Sequence, residues 1–174
     1  MLLLIEFEDD SKLQMIGDDA FQKASIENIK IPSQVTRIGN NAFAECKRLK
    51  QVEFSINSKL QTIGKDAFYD SSFRSIVIQS TVAQIEESAF RACKFLQNVE
   101  FMNDSQLQII GEYAFVGTSI VSIVIASKVT RIEAYTFRHC NKLKKVEFSD
   151  DSELIIIDGY AFSESSIEII SIPS

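Results

Sequence analysis

The sequence predicts a repeat solenoid, in which short similar units stack along one axis instead of surrounding one globular core. Three observations predict it: a dipeptide that recurs at fixed intervals, a short alternating apolar motif between its copies, and an apolar composition rich in β-branched isoleucine. The repeat fills the whole chain, so residues 1–174 are expected to form a single domain.

The recurring dipeptide is Ala-Phe, which Thr-Phe replaces once. Successive copies are separated alternately by 22 and 25 residues, so two unit types alternate and the true period is 47 residues. The chain is therefore predicted to hold seven units and a partial unit at its N-terminus. The phenylalanines of the seven copies are Phe21, Phe43, Phe68, Phe90, Phe115, Phe137 and Phe162.

Each unit has two halves. The first half, as in residues 49–54, ends in an alternating pattern that predicts a short strand with Val52 and Phe54 inward and Glu53 outward. The second half, as in residues 60–68, predicts a short extended piece that bends into a 3₁₀ or helical turn at Ala-Phe. A unit of this size buries its apolar residues only by stacking on its neighbours. The strands are expected in one parallel sheet, near residues 4–7, 28–31, 51–54, 75–78, 98–101, 122–125, 145–148 and 169–172.

The combination of L-x-x-V-x-F with I-G-x-x-A-F-x-x-C resembles the BspA-like subclass of leucine-rich repeats, over essentially the full chain. That family comprises surface-associated proteins of anaerobic bacteria and parasitic protists. The resemblance implies a right-handed α/β-type solenoid with a parallel sheet on its concave face and short strands or turns on its convex side. It further implies a non-enzymatic module that binds a host or matrix protein, at the cell surface or after secretion.

Charge and hydropathy exclude several other classes. The net charge of −6 argues against nucleic acid or an anionic membrane surface as the main partner. No segment reaches the roughly 18 consecutive apolar residues of a membrane helix, so membrane insertion is not expected. Residues 1–5 are apolar but lack the basic start and length of a signal peptide, which leaves a cytoplasmic location open as well.

No catalytic group, metal site or cofactor site is expected. Cys46, Cys93 and Cys140 stand 47 residues apart, which would place them roughly 9–10 Å apart in a stack, too far for a disulfide. Small residues fill the same slot in the other units, so these cysteines are interpreted as packing residues. His139 adjoins Cys140, but adjacent side chains diverge, and a Cys–His nucleophile pair needs them within hydrogen-bond reach. The acidic loop at 149–153 lacks a known calcium-binding motif.

The outward positions of the strands are the candidate ligand-binding surface. Carboxylates recur there on every second strand, at about 10 Å spacing, and valines lie on two of the strands between them. Repeat solenoids commonly bind through such concave surfaces, although a merely solvated sheet face would show the same polar pattern. The candidate residues are Glu53, Val77, Glu100, Val124 and Glu147.

Both ends of the chain stay within the repeat pattern and lack a polar capping unit. Terminal strands with apolar side chains and unpaired edges are templates for another chain. The alternative function is therefore a structural or scaffold segment that self-associates through its ends, most simply as a two-fold homodimer that joins like ends. The candidate self-association residues are Leu4, Ile5, Ile169, Ile170 and Ile172.

Overall fold

The computed structural model describes residues 4–8 and 10–172, and of Leu4 only the backbone. The chain forms a parallel β-solenoid of about seven turns, and the described residues contain no helix. Each turn carries one strand on the concave side, one two-residue strand on the convex side, and an irregular turn at Ala-Phe.

The concave strands lie where the sequence predicts them, within a residue or two at the termini. They are β1 (Leu4–Ile5), β3 (Asn28–Ile31), β5 (Gln51–Phe54), β7 (Ser75–Ile78), β9 (Asn98–Phe101), β11 (Ser122–Ile125), β13 (Lys145–Phe148) and β15 (Ile169–Ser171). The convex strands are β2 (Met15–Ile16), β4 (Arg37–Ile38), β6 (Thr62–Ile63), β8 (Gln84–Ile85), β10 (Ile109–Ile110), β12 (Arg131–Ile132) and β14 (Ile156–Ile157).

The two faces differ in the continuity of their sheets. The seven convex strands pair in parallel as one sheet, whereas the concave strands form three ladders, β1–β3–β5, β7–β9 and β11–β13–β15. This differs from the single concave sheet that was expected. At the β9–β11 junction, the bond from the Val121 N–H to the Gln97 carbonyl is 3.4 Å long, against 2.9 Å for the corresponding bond from Lys144 to Val121 at the β11–β13 junction.

The expected 3₁₀ or helical turns at Ala-Phe are absent from the described residues. In all seven turns the residue before the alanine and the second residue after the phenylalanine are left-handed, with φ between 51° and 69°. In six of the turns, three alternate N–H groups donate to carbonyls of the next unit and not to carbonyls of their own turn. A right-handed helical turn cannot persist through left-handed residues, so these segments are irregular.

The core runs along the solenoid axis as a column of the seven Ala-Phe phenylalanines. Neighbouring rings stack with centroids 5.2–5.5 Å apart and interplanar angles of 2–10°. Phe73 packs edge-on against Phe68 and Phe90. Phe95 lies outside the core and is 53% exposed, because its neighbour Leu96 occupies the buried position of the repeat.

Candidate functional site

The concave strands position the candidate residues by alternation. Along β7 and β11 the burial pattern is exposed, buried, exposed, buried, so that Ile76 and Ile123 enter the core while Val77 and Val124 face out. Such alternation follows from the period of two along a strand. All five candidate residues thus lie outside the core, on one face of the coil.

The parallel register sets these residues in a row across the strands. Val77 lies opposite Glu100, and Val124 lies opposite Glu147, in directly paired positions. Glu53 lies opposite Lys30. The row therefore alternates charged and apolar positions through its central part.

The three glutamates of the row differ in what they contact. Glu53 accepts a hydrogen bond from the Gln51 amide at 2.6 Å, and Glu147 forms a 2.7 Å ion pair with Lys145. Among the described residues, Glu100 has neither a hydrogen bond nor an ion pair through its carboxylate. Glu100 is thus the carboxylate of this row that a ligand reaches without displacing a partner.

The surroundings of Glu100 combine this charge with exposed apolar surface. Val77 on one side is 41% exposed and Val124 on the other is 55% exposed. Met102, two residues further along the chain, is 42% exposed. A carboxylate between apolar side chains suits a ligand that brings a basic group together with aliphatic or aromatic carbon.

Glu100 and Val124 also line a groove of about 860 Å³ at the edge of the face. Two loops form its walls, residues 102–106 and 149–153, and both belong to the longer of the two unit types (the long units). They flank the shorter loop at 126–128, which belongs to a short unit. The groove between these loops is not among the features that the sequence predicts. The signal was present in the 22 and 25 alternation, because the extra residues of the long units project beyond a short unit between them.

The walls of this groove are acidic. Asp104 and Asp151 line it, and the described residues offer no partner to either carboxylate. Lys128, a cation in the same lining, donates to the Gln106 amide oxygen at 2.8 Å. A second groove, of about 580 Å³, lies at the N-terminal part of the face and includes Glu53.

Each cysteine side chain contacts the backbone of the preceding unit. The three cysteines do not contact one another. All three are free and buried, and burial raises the pKa of the thiols of Cys46 and Cys140 to about 11 and that of Cys93 to about 12. The Cys93 Sγ donates to the Phe68 carbonyl at 3.0 Å, and the other two thiols bond the equivalent phenylalanine carbonyl. A thiol held protonated is a poor nucleophile, so these are structural residues.

His139 lies on the surface beside Glu164, whose carboxylate is 3.1 Å from its Nδ1. Cys140 points inward to Phe115 and Thr118, so the structure does not bring the two neighbours together. The described residues contain no cluster of histidine, cysteine or acidic side chains that could hold a metal ion. They also form no helix long and apolar enough to cross a bilayer.

The candidate self-association residues lie in or next to the first and last described strands, β1 and β15. Ile5 is half-buried, whereas Ile169, Ile170 and Ile172 are 42–54% exposed. The side chain of Leu4 lies outside the described part of the structure.

Comparison with protein families decides the relationship. The model of the BspA type leucine-rich repeat region, in six copies, matches residues 14–120 and 108–174. This chain belongs to the BspA-type leucine-rich repeat family. The expected resemblance and the solenoid fold are thereby confirmed. Members of the wider leucine-rich repeat family generally act as protein-interaction modules. No curated protein sequence matches the chain significantly.

Solved structures of bacterial leucine-rich repeat proteins share this fold. A leucine-rich repeat protein from Bacteroides ovatus is 28% identical, with a TM-score of 0.69 over 91% of this BspA-type chain and 46% of that protein. The pneumococcal vaccine antigen PcpA is 26% identical, with a TM-score of 0.70 over 72% of this chain and 31% of that one. A leucine-rich cell surface protein from Faecalibacterium prausnitzii is 29% identical, with a TM-score of 0.55 over 81% and 44%. The chain thus spans between about a third and a half of each of these structures.

Proposed function

We propose that this BspA-type chain is a non-enzymatic protein-binding module, adhesin-like, whose concave face takes a protein ligand at Glu100. The observation that carries the proposal is the Glu100 carboxylate without a partner, set between the exposed Val77 and Val124 at the mouth of the acidic groove. The ligand that fits is an exposed segment with a basic side chain beside an apolar one. Location at the cell surface is part of the proposal, supported by the description of the Faecalibacterium relative as a cell surface protein.

Surface plasmon resonance with the immobilised 174-residue chain and a panel of purified matrix proteins and cell-surface ectodomains tests this. We expect saturable binding of at least one of them, weakened about tenfold by Glu100→Gln, the loss expected when one charge-assisted contact worth about 1.4 kcal/mol is removed. Val124→Asp should also weaken the binding of the same ligand.

Glu87→Gln is the matched control, because Glu87 is an exposed glutamate that pairs with Lys65 and does not line the groove. Equal loss in Glu100→Gln and Glu87→Gln, or no saturable ligand, would contradict the proposal.

A second candidate function is self-association through the ends. It is favoured by the exposed C-terminal end of the core: Ile157 is 37% and Ile170 is 42% exposed, whereas their strand partners Ile132 and Val146 are fully buried. Sedimentation at micromolar concentration should show species heavier than the 19.6 kDa chain, and Ile170→Asp or Ile5→Asp should shift them back. A single 19.6 kDa species, unchanged by either substitution, would exclude it.

A further inference from the structure

The charged positions of the concave face recur at a fixed interval. Glu53, Glu100 and Glu147 are each the third residue of their strand, on β5, β9 and β13, and one further strand lies between each pair. Val77 and Val124 hold the same position on those intervening strands, β7 and β11. Neighbouring strands of a sheet are about 4.8 Å apart, so successive carboxylates are about 9.6 Å apart along the axis of the coil, with a valine halfway between them.

This interval selects among the regular conformations of a peptide ligand. In a polyproline II helix each residue rises about 3.1 Å and three residues make a turn, so every third side chain lies on one face at intervals of about 9.3 Å. Over the two intervals from Glu53 to Glu147, this helix departs from the row by only about 0.6 Å. Two turns of an α-helix advance about 10.8 Å, which gives a departure of about 2.4 Å over the same distance. Side chains of an extended strand return to one face every 6.7 Å or about that, which matches neither one strand of the sheet nor two.

We propose that the concave face binds a polyproline II segment that carries a basic residue at every third position. The proposal rests on the protein-binding function described above and names the class of segment that this function takes. Each basic side chain meets one glutamate of the row. The two residues between successive basic residues are centred about 4.7 Å further along the axis, over a valine. Proline rings at these places cover Val77 and Val124, which are 41% and 55% exposed.

The polar side chains beside the row suit the backbone of such a segment. A polyproline II helix has no internal hydrogen bonds, so its carbonyls accept from water or from a partner. Asn98 and Ser122 lie two residues before Glu100 and Val124, on the same exposed face of β9 and β11. Both of them line the groove that Glu100 lines. Their amide and hydroxyl groups therefore lie beside the path of the ligand and can donate to its carbonyls.

The extent of the pattern sets the length of the segment. The alternation of glutamate and valine covers β5 to β13, because Lys30 and Ser171 take the place of valine on the next strand at either side. These five strands span about 19 Å, which is the length of about seven polyproline II residues. The segment therefore carries its basic residues at its first, fourth and seventh positions. The basic residue that meets Glu147 competes with Lys145, which forms a 2.7 Å ion pair with that carboxylate.

Short peptides of equal charge test the spacing. Fluorescence anisotropy measures the affinity of the 174-residue chain for labelled Arg-Pro-Pro-Arg-Pro-Pro-Arg, the matched peptide. Arg-Pro-Arg-Pro-Arg-Pro-Pro, the rearranged peptide, has the same composition and stiffness but a different spacing of charges. Arg-Gly-Gly-Arg-Gly-Gly-Arg, the flexible peptide, keeps the spacing and lacks the rigidity of proline. We expect the matched peptide to bind about tenfold more tightly than either control, because one control misaligns a charge-assisted contact and the other loses conformational entropy on binding.

Variants of the chain locate the binding site. Glu100→Gln should weaken binding of the matched peptide about tenfold, the effect of losing one charge-assisted contact. Glu87→Gln changes an exposed glutamate outside the groove and should leave this binding unchanged. Lys145→Ala removes the cation that competes for Glu147, so it should increase the preference for the matched peptide over the rearranged one. A gain of this kind cannot result from a loss of folding.

The outcomes distinguish this proposal from the protein-binding function itself. A preference for the matched peptide that Glu100→Gln abolishes supports the proposal. A control peptide that binds as tightly as the matched one, or a preference that Glu100→Gln leaves intact, overturns it. If a protein of the matrix and ectodomain panel binds through Glu100 and the matched peptide does not bind, the polyproline II proposal is overturned while the protein-binding function holds. If neither the peptides nor any protein of the panel binds, both are overturned.

Discussion

The phenylalanine of each Ala-Phe pair holds one unit on the next, and Phe90 shows how. Phe90 is fully buried, with ring centroids 5.5 Å from Phe68 and 5.2 Å from Phe115. Phe73 closes the site edge-on at 6.4 Å. Loss of this ring would leave a cavity that the two flanking units cannot fill without shifting their own rings.

We predict that Phe90→Ala lowers the free energy of unfolding by about 3–5 kcal/mol, the usual cost of deleting a buried aromatic side chain. Phe162→Ala should cost roughly half of that, because Phe162 is partly buried and stacks on one ring only. Glu100→Ala, on the concave face, should stay within about 0.5 kcal/mol. Denaturant melts of the three variants measure these differences. Equal losses for Phe90→Ala and Glu100→Ala would contradict the assignment of inside and outside.

The cysteine slot shows a second role for a small buried residue. Its side chain satisfies the phenylalanine carbonyl of the preceding unit, through Cys93 Sγ on Phe68 at 3.0 Å and through Ser71 Oγ on Phe43 at 2.6 Å. Among the short units, Ser71 makes the same bond with a hydroxyl, whereas Ser165 Oγ donates to the Phe162 carbonyl of its own turn and Ala24 has no polar group. The position therefore requires a small side chain, and a thiol or hydroxyl there can add a bond to the neighbouring unit.

Among the elements, the Ala-Phe turn departs furthest from standard secondary structure. Its left-handed residues are mostly not glycine, and Gly117 is the one glycine among the fourteen of them. Left-handed backbone costs a residue with a Cβ roughly 1–2 kcal/mol. The three bonds that each turn makes to the next offset this cost, so the turn is stable only within the stack.

We predict that hydrogen exchange reveals the direction of these bonds, in which each turn donates to the following one. The Phe137 amide donates to the Ala161 carbonyl at 2.7 Å and should exchange slowly. The Phe162 amide has no acceptor in the described chain and should exchange much faster, because an unbonded amide lacks protection. Hydrogen exchange of the dilute chain, measured by mass spectrometry, tests this. Slow exchange of Phe162 under those conditions would contradict the direction of these bonds.

At the scale of the whole molecule, the convex sheet, the hydrogen bonds between successive Ala-Phe turns and the aromatic column run through all seven described turns, whereas the concave strands form three separate ladders. Because each unit contacts only its neighbours, stability is expected to be the sum of contributions from single units and from the interfaces between neighbouring units. The buried thiols are spaced 47 residues apart along this coil, so each thiol lies in a different unit.

We predict that stability falls at alkaline pH through these thiols. In the unfolded chain a cysteine ionises near pH 8.5, whereas burial raises the pKa of Cys93 in the folded chain to about 12. Between these two pH values the folded state binds more protons than the unfolded state, so the free energy of unfolding decreases as pH rises. Below pH 8 the thiol is protonated in both states and does not affect the free energy of unfolding. Between pH 9 and pH 10, Cys93 should account for a loss of about 1 kcal/mol.

Urea melts of the wild type and of Cys93→Ser at pH 8, 9 and 10 measure this contribution. Serine suits the slot, as Ser71 shows, and does not ionise in this range. The variant should therefore lose less stability with rising pH than the wild type. Identical slopes would show that the Cys93 thiol ionises as readily in the folded chain as in the unfolded one.

The repeat, the positions of the concave strands and the inward column of phenylalanines could all be predicted from the sequence. These follow from patterns that each unit carries locally and repeats every 47 residues, such as Val52-x-Phe54 and Ala67-Phe68. The family resemblance rested on the same local patterns. Strand period and apolar spacing depend on near neighbours in the chain, which a sequence displays directly.

Which polar groups lack partners could not be predicted, because partners come from residues that are distant in the sequence. Glu53, Glu100 and Glu147 occupy one repeated position, yet Glu100 is the one whose carboxylate has no contact among the described residues. The direction of the hydrogen bonds between turns is likewise invisible in the sequence, because every backbone carries both a donor and an acceptor. The left-handed residues orient the peptide planes, and this orientation decides whether the donor or the acceptor points to the next unit. Within the described chain, the result is that donors lack partners in the last turn and acceptors lack partners in the first.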